Sequence, residues 1–350
     1  MHLPVLPPVS PMLAKLKEKM PRGDGWLYEP KWDGFRALAF RDGDQVQLTS
    51  RDTRPIDRYF PELLGPLREA LPQRCVVDGE VVIAGDDGLD FDALLLRIHP
   101  AESRIKLLAG STPSSFVAFD LLALGDESLM EEPLAERRAR LEAALAGAPP
   151  ADPDRIRPCG VFLTPQTEDP DEAAVWFDAY EALGLDGVIA KQSDIVYSPG
   201  QRTMVKIKHK RTADCVVGGY RLSKSGDGVG SLLLGLYDTG GVLHYVGHTS
   251  SFKAAERRAL LEELKPLEGT PARPQTSFVG GRAPGGPSRW TGATEKTWVP
   301  LEPSLVCEVA FDHMQGERFR HAATFVRWRP EKKPRDCDFA QLGPLFKGNR

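Results

Sequence analysis

The segment Glu29-Pro30-Lys31-Trp32-Asp33-Gly34-Phe35-Arg36 says most about how this chain folds. Strand-like runs lie on both sides of it, at 26–28 and 35–40, and the Asp33-Gly34 pair between them favours a tight turn. A lysine at such a junction of strand and turn can point into a cleft. Because the same pattern of lysine, aspartate and glycine also occurs in ordinary surface hairpins, its meaning depends on other segments of the chain.

The composition of the chain is typical of a soluble globular protein. Its 350 residues are 41% hydrophobic and 27% charged, and this length predicts two domains, each with its own core. No apolar run is long enough to cross a bilayer, and the N-terminus lacks the basic and apolar parts of a secretory signal, so we expect a cytoplasmic protein without membrane contact. The five cysteines form no C-x-x-C pair, which argues against a disulfide framework and a structural zinc site.

The charge of the chain restricts how it could bind nucleic acid. Its net charge of -4 argues against a protein that coats nucleic acid over its whole surface, because affinity for phosphates comes mainly from lysine and arginine. One basic run, at 202–211, would place Lys206, Lys208 and Lys210 on one side of a strand. A solvated surface face is the alternative interpretation of this run.

The first part of the chain, up to about residue 210, combines strand and helix patterns and predicts a mixed α+β domain. Besides the strands around Lys31, the predicted elements are strands at 75–83, 116–124, 187–190 and 204–208 and helices near 61–71, 133–145 and 171–183.

The part after Arg211 consists mainly of short strand patterns and predicts a small barrel. A five-stranded OB-type barrel is the common unit of this kind that handles nucleic acid, although the spacing also allows other small barrels. The region 267–295, rich in glycine, proline, serine and threonine, predicts a long loop, functional or disordered. The predicted elements are strands at 214–220, 231–237, 241–247, 305–312 and 323–328 and a helix near 251–264.

Several further motifs follow the Lys31 segment in a fixed order. They are Asp78-Gly79-Glu80, Phe119-Asp120, Asp186-Gly187-Val188-Ile189-Ala190-Lys191 and Lys206-Ile207-Lys208. With them, the chain resembles the covalent nucleotidyltransferase superfamily of ATP-dependent DNA ligases, RNA ligases and mRNA capping enzymes. Within it, the likeness is closest to the short bacterial stand-alone DNA ligases of the LigC type, and it extends from Pro4 to Cys337.

This resemblance implies a fold, an activity and a location. The α+β part, residues 1–210, is expected to be a nucleotidyltransferase domain of ATP-grasp-like ligase type, and residues 211–350 an OB-fold domain. The expected activity is ATP-dependent sealing of nicks with 3′-OH and 5′-phosphate ends in duplex DNA. The expected location is the bacterial cytosol, close to the nucleoid, and end-joining or other repair proteins are expected as partners.

The same resemblance makes Lys31 the nucleophile. Its amine would attack the α-phosphate of ATP and form a lysyl-AMP, which then passes to the nick as a DNA-adenylate. An ordinary lysine pKa of about 10.4 leaves little neutral amine near neutral pH. We therefore expect neighbouring positive charge and a metal ion to lower the pKa of Lys31.

The nucleoside of ATP is assigned by resemblance to four residues of the α+β domain. Phe119 is expected to stack on the adenine ring, and Glu29 to read the adenine amino edge. Arg36 and Glu80 are expected to hold the ribose. A buried core role is the alternative for Phe119, since most aromatic residues in strands belong to the core.

The phosphates of ATP are assigned to basic residues. Lys206 and Lys208 are expected to face the α-phosphate, and the alternative for them is an edge strand protected by lysines. Lys191 resembles a further lysine of the phosphate pocket, and Arg51 resembles a contact to the nucleotide or to the 5′-phosphate of the nick.

The metal ligands and the last motif complete the assignment. Glu80 and Asp186 are expected to bind Mg²⁺ or Mn²⁺, although the wider superfamily often has glutamate at the position of Asp186. Arg329 and Lys332 near the C-terminus resemble the family's contacts to the β- and γ-phosphates. A basic surface strand end without phosphate contact is the alternative for this last segment.

Two other functions remain open at the level of sequence. An RNA ligase or a capping enzyme would share the lysine chemistry, and a capping enzyme would use GTP instead of ATP. A catalytically silent OB-fold scaffold that binds nucleic acid would retain Lys31 for structure alone. Transfer of label from ATP to the protein distinguishes the scaffold from an enzyme.

Overall fold

The computed structural model describes residues 1–86, 88–269, 278, 284 and 297–345. The chain divides into two compact units, Met1–His209 and Lys210–Arg350. Within the described ranges, no helix is long and apolar enough to cross a membrane.

The first unit is a mixed α+β domain built on two main sheets. One sheet has the strand order β1-β12-β11-β2, and the other has the order β10-β8-β5-β3-β4, with β9 paired to β8. The strands are β1 (Leu13–Lys17), β2 (Trp26–Pro30), β3 (Phe35–Asp42), β4 (Gln45–Ser50), β5 (Arg74–Val82), β6 (Ala84–Gly85), β7 (Gly88–Leu89), β8 (Ser115–Leu124), β9 (Glu127–Ser128), β10 (Val161–Leu163), β11 (Val188–Gln192) and β12 (Arg202–Ile207). The helices are α1 (Leu64–Ala70), α2 (Phe91–Leu96), α3 (Glu102–Ser111), α4 (Leu134–Ala144) and α5 (Pro170–Ala179).

The second of these sheets is buried on both faces, which explains its nearly continuous apolar strands. Ala37 and Ala39 of β3 pack into one core, whereas Leu38 and Phe40 pack into another on the opposite face. Successive side chains of a strand point to opposite faces, so an apolar residue is needed at every position. Strand β8 is buried along nearly its whole length for the same reason.

Several predicted elements differ from the structure at their ends. The strand predicted at 204–208 ends at Ile207, so Lys208 lies just beyond it. The helix predicted at 171–183 ends at Ala179, because the Tyr180 carbonyl accepts hydrogen bonds from the backbone N–H groups of Leu183 and Leu185 and turns the chain. Helices α2 and α3 were not predicted, since each buries only two residues and leaves a weak apolar pattern.

The described residues of the second unit form a closed five-stranded barrel with one α-helix. Its strand order is β15-β14-β13-β16-β19, and a parallel bridge between Thr249 and Ala323 joins the two outer strands. The Ala323 N–H donates to the His248 carbonyl at 2.9 Å. The elements are β13 (Arg211–Leu222), β14 (Val229–Tyr237), β15 (Leu243–Thr249), α6 (Ala254–Leu264), β16 (Val299–Phe311), β17 (Met314–Gln315), β18 (Arg318–Phe319) and β19 (Thr324–Trp328).

This connectivity confirms the predicted OB fold. The first main strand, β13, pairs with both the second and the fourth, and the third main strand meets the fifth in parallel, with the helix between the third and the fourth. Apolar side chains from all five strands fill the barrel. Most of the predicted loop at 267–295 lies outside the described residues.

Candidate active site

The turn after β2 carries Lys31, and a glycine on a neighbouring segment fixes its position. The Lys31 N–H donates to the Gly187 carbonyl at 2.9 Å, and the Asp186 N–H donates to the Lys31 carbonyl at 3.0 Å. Gly187 has a φ of +130°, and a Cβ atom there would lie 2.0 Å from the Ile207 carbonyl oxygen. Only glycine therefore allows the end of β2, the start of β11 and the end of β12 to meet so closely.

One carboxylate oxygen joins two lysines at this meeting point. Asp186 Oδ2 lies 2.6 Å from Lys31 Nζ and 2.6 Å from Lys208 Nζ. Burial by itself would lower the pKa of Lys31, but the charge and hydrogen bond of Asp186 outweigh it and raise the pKa. The predicted lowering of the Lys31 pKa is therefore wrong for the protein without nucleotide, because a carboxylate contacts the amine directly.

Lys206 shows the opposite behaviour beside the same cluster. Burial, together with the positive charges of Lys208 and Lys31, lowers the pKa of Lys206. Lys206 is thus the member of the cluster whose charge is least compensated. A phosphate group would compensate it.

Glu80 lies on β5 close to the same cluster. Burial raises the pKa of Glu80 to about 7, although the positive charges of Arg36 and Lys31 lower it in part. A buried carboxylate in this condition would gain from a cation. The described residues contain no cluster of three or more metal-ligating side chains. Glu80 supplies a carboxylate oxygen, the type of ligand that Mg²⁺ takes in addition to phosphates and water.

The other end of the site holds a buried ion pair. Lys191 Nζ lies 2.7 Å from Glu29 Oε2, and both residues are nearly inaccessible, with 2% and 3% of their surface exposed. The Gln166 side-chain amide donates to Glu29 Oε1 at 2.8 Å. Lys191 was expected among the phosphates, but its partner is the residue expected to read the base.

Phe119 and Arg36 lie against each other in the same site. The Arg36 guanidinium carbon is 4.3 Å from the centre of the Phe119 ring, and Lys191 Nζ is 5.1 Å from it. Arg36 is held by two hydrogen bonds of 2.6 Å to the two oxygens of Asp78. The bidentate contact fixes the plane of the guanidinium group.

Two residues outside the sequence motifs, Tyr197 and Arg137, form hydrogen bonds with the motif carboxylates Asp78 and Asp120. The Tyr197 hydroxyl donates to Asp78 Oδ2 at 2.6 Å and is buried. Arg137 of α4 donates two hydrogen bonds, of 2.8 and 2.9 Å, to Asp120, which follows Phe119 in β8. Asp78 and Asp120 are neighbours across β5 and β8. The charges of Asp78 and Asp120 make buried partners for both of them an expected feature. No signal in the sequence identified Tyr197 and Arg137 as these partners.

These side chains surround a cleft of about 430 Å³ between the two sheets of the first unit, part of it open solvent. Six of the predicted site residues line the cleft, while Asp186, Lys206 and Lys208 adjoin it at the Lys31 end. The six are Glu29, Lys31, Arg36, Glu80, Phe119 and Lys191.

Arg51 is the predicted residue of the first unit that the structure does not bring to the cleft. It lies in the turn after β4, and 68% of its side chain is exposed. It is not among the residues that line the cleft.

Arg329 and Lys332 lie in the second unit, where one aspartate on β13 contacts both. Arg329 Nη1 is 2.8 Å from Asp214 Oδ1, and Lys332 Nζ is 3.7 Å from Asp214 Oδ2. A further contact of 2.6 Å joins Arg329 Nε to Glu331. Arg329 and Lys332, which the sequence predicted to act together, thus lie close to each other and form ion pairs with carboxylates.

Comparisons with known proteins identify the family of this chain. A family model described as ATP dependent DNA ligase domain matches residues 11–208, and one described as ATP dependent DNA ligase C terminal region matches residues 225–332. DNA ligase C of Mycobacterium tuberculosis is 54% identical over 349 residues, covering 98% of this chain and 96% of that protein. DNA ligase C2 of Mycolicibacterium smegmatis is 52% identical, with the same coverage of 98% and 96%.

The fold comparison gives a related result. The match to a solved structure from a structure-function analysis of Lig E DNA ligases covers 91% of this chain and 99% of the chain in that structure, with a TM-score of 0.55. At 18% sequence identity, this match is a likeness of fold alone.

Proposed function

Since this chain belongs to the ATP-dependent DNA ligases, we propose that Lys31 is the residue that carries AMP between ATP and the nick. The observation that supports this most is the position of the Lys31 amine. It lies at the rim of the cleft that Glu29, Arg36 and Phe119 line, with Lys206 and Lys208 beside it. No other described lysine combines this rim position with the lysine motif.

In the first step, Lys31 attacks the α-phosphate of ATP and pyrophosphate leaves. The amine must first lose its proton to water, so the contact with Asp186, which favours the protonated form, has to loosen when nucleotide binds. Lys206 and Lys208 then stabilise the charge that develops on the α-phosphate oxygens. Two further in-line transfers move AMP to the 5′-phosphate and release it when the 3′-OH attacks. Positioning and charge stabilisation suffice for such steps, so the cleft needs no dedicated acid-base pair.

Glu80 and Asp186 are our proposed ligands for Mg²⁺ or Mn²⁺. A divalent cation would supply neutralisation of the phosphate charge during transfer. Glu80 is suited to this role by its buried carboxylate and its raised pKa. Asp186 already neutralises two lysines, so it would contact the ion only after one of them turns to phosphate.

The buried end of the cleft is our proposed site for adenine. Phe119 offers a ring for stacking and Glu29 an acceptor for the adenine amino group, while Arg36 and Glu80 lie where they can hold the ribose. Because Lys191 contacts Glu29, we assign it to the base as well as to the phosphates. Arg51, being exposed, is better suited to the 5′-phosphate of the nick than to ATP. Arg329 and Lys332 would meet the β- and γ-phosphates when the OB domain closes.

Incubation with α-labelled ATP and magnesium, followed by denaturing electrophoresis, tests the proposal. Label should stay on the wild-type chain and should be absent from Lys31→Ala, while Lys17→Ala, an exposed lysine on β1, serves as the matched control. Circular dichroism should show that all three proteins are folded. Label retained on the Lys31 variant would refute the assignment of the nucleophile.

The acceptor is tested with nicked duplexes in which each strand at the nick is DNA or RNA. We expect sealing when both strands are DNA, and nick affinity that falls steeply between about 50 and 200 mM salt, since phosphate contacts release counterions. Sealing restricted to RNA strands would favour the RNA ligase alternative, and labelling by GTP in place of ATP would favour a capping enzyme. Recruitment by end-joining proteins and a location in the bacterial cytosol remain predictions, which co-purification from cells would test.

A further inference from the structure

Leu16 is a leucine on the edge strand β1 with 64% of its surface exposed. Strand β1 pairs in parallel with β12, so that Leu16 lies opposite Lys206 and Ala14 lies opposite Met204. Side chains of directly opposite residues point to the same face of a sheet. Because Met204 lines the nucleotide cleft, Leu16 lies on the cleft face of the sheet, one strand beyond Lys206.

The exposure of the side chains differs over this face. Glu29 and Lys191 at the base end are 3% and 2% exposed. The side chains of Lys31 and Lys208 are 20% and 25% exposed. Leu16 follows at 64%. The cleft is therefore closed around Glu29 and Lys191, while the edge of the face at β1 is accessible.

Positive charges lie close to Leu16 on this face. Met204 and Lys206 point to the same face of β12, and Lys208 follows just after the strand. Arg202 lies at the start of β12, next to a bulge in the pairing with β1. Arg202 Nη1 also donates to the Ala14 carbonyl of β1 at 3.2 Å. Leu16 is thus an apolar side chain set among basic groups, where a phosphate backbone would be attracted.

We propose that Leu16 packs against a deoxyribose of the nicked strand, with Lys206 and Arg202 on the flanking phosphates. This inference rests on the proposed function, because the 5′-phosphate has to reach the AMP on Lys31. Leu16 lies opposite Lys206 on this face, and Lys206 lies beside Lys31 and Lys208. The sugar is the least polar part of the DNA backbone, so an exposed leucine between cations is complementary to it. A single exposed leucine needs no explanation by itself, and its place on the cleft face is what distinguishes Leu16.

The OB domain is a different occupant that could cover Leu16. In that case Leu16 would be buried when the second unit closes on ATP, before any DNA is bound. The two occupants predict losses in different steps. Burial by DNA affects nick binding, whereas burial by the OB domain affects self-adenylation.

The experiment uses the full chain and the variants Leu16→Ala and Leu16→Glu. Leu107→Ala and Leu107→Glu are the matched controls, since Leu107 is a leucine of α3 in the same unit with 59% of its surface exposed. Affinity for a nicked DNA duplex is measured by fluorescence anisotropy, and label from ATP is measured without DNA. We expect Leu16→Ala to weaken nick binding about fivefold and Leu16→Glu about 30-fold or more, because apolar contact is lost and a like charge faces the phosphates.

The Leu107 variants should bind the nick as tightly as the wild type. Nick affinity of both Leu16 variants equal to that of the wild type would overturn the proposal. Self-adenylation lost with nick affinity retained would also overturn it, and would identify the OB domain as the occupant. If the wild-type chain failed to take label from ATP, the proposed function would fail, whereas the comparison of nick affinities would still decide the role of Leu16.

Discussion

Lys31 Nζ lies 2.6 Å from Asp186 Oδ2, so the proposed nucleophile forms an ion pair in the protein without nucleotide. This pair keeps the amine protonated and raises the pKa of Lys31. Only the neutral amine can attack phosphorus. Attack on ATP therefore requires that the Lys31 amine separate from Asp186.

The pH dependence of self-adenylation should reveal this ion pair. For a group with a raised pKa, the neutral form increases as pH rises, so kcat/KM for ATP in the wild type, which reports the protein before ATP binds, should climb from pH 7 to 9. Asp186→Asn removes the carboxylate, which should lower the pKa of Lys31 and move the midpoint of the profile to lower pH. Rapid-quench measurement of label on the protein gives both profiles. Asp171→Asn, at an exposed aspartate paired with Arg22, is the control. A midpoint in Asp186→Asn equal to or above that of the wild type would contradict the assignment.

Glu80 should make the ligand-free protein less stable at alkaline pH. Its pKa is about 7 in the folded protein against 4.5 ordinarily, so the folded state binds more protons between these values and stability falls as pH rises through that window. Glu80→Gln cannot titrate. Its free energy of unfolding should therefore decrease less than that of the wild type between pH 5 and 8, by a few kcal/mol at most. Urea titrations at both pH values measure this difference. Glu136→Gln, at a glutamate on the surface of α4, is the control, and its free energy of unfolding should change with pH as that of the wild type does. The same change in Glu80→Gln would contradict the burial of the Glu80 carboxylate.

Tyr197 should act on ATP binding through Asp78 and Arg36. Removing its hydroxyl in Tyr197→Phe leaves the buried Asp78 carboxylate with one donor fewer and loosens the Arg36 contact. We expect the KM for ATP in self-adenylation to rise about three- to tenfold, with the rate at saturating ATP within about twofold of the wild type. Tyr220→Phe removes a hydroxyl that donates to Glu268 at 2.6 Å in the barrel, and should leave the KM unchanged. An equal effect of both variants would indicate a loss of stability alone.

The cations of the last motif should affect one step of the reaction. If Arg329 and Lys332 meet the outgoing pyrophosphate, their joint replacement by alanine should slow self-adenylation by about 100-fold or more and leave sealing of a pre-adenylated nick nearly intact. The neighbouring pair Arg327 and Lys333, replaced in the same way, controls for charge. Single-turnover assays of the two steps give the comparison. Normal self-adenylation by the Arg329 and Lys332 variant would remove the segment from the mechanism.

The sequence alone was sufficient for the family, the fold class and most of the cleft. Lys31, Glu80 and Phe119 occur in short motifs whose residue types are required by the chemistry, and the comparisons confirm the family to which those motifs point. The barrel could be predicted because its strands alternate in a regular pattern between turns. These features are encoded locally, within a few residues, so they can be read without the fold.

The tertiary structure decided how the charged groups are paired. Asp186 follows Lys31 by more than 150 residues, yet they share a contact of 2.6 Å, and this contact reverses the expected direction of the Lys31 pKa. The partners Tyr197 and Asp78, and the place of Leu16 on the cleft face, likewise depend on strands that meet only in the folded chain. A pKa and an exposed face depend on distance and burial, which residues far apart in sequence determine together.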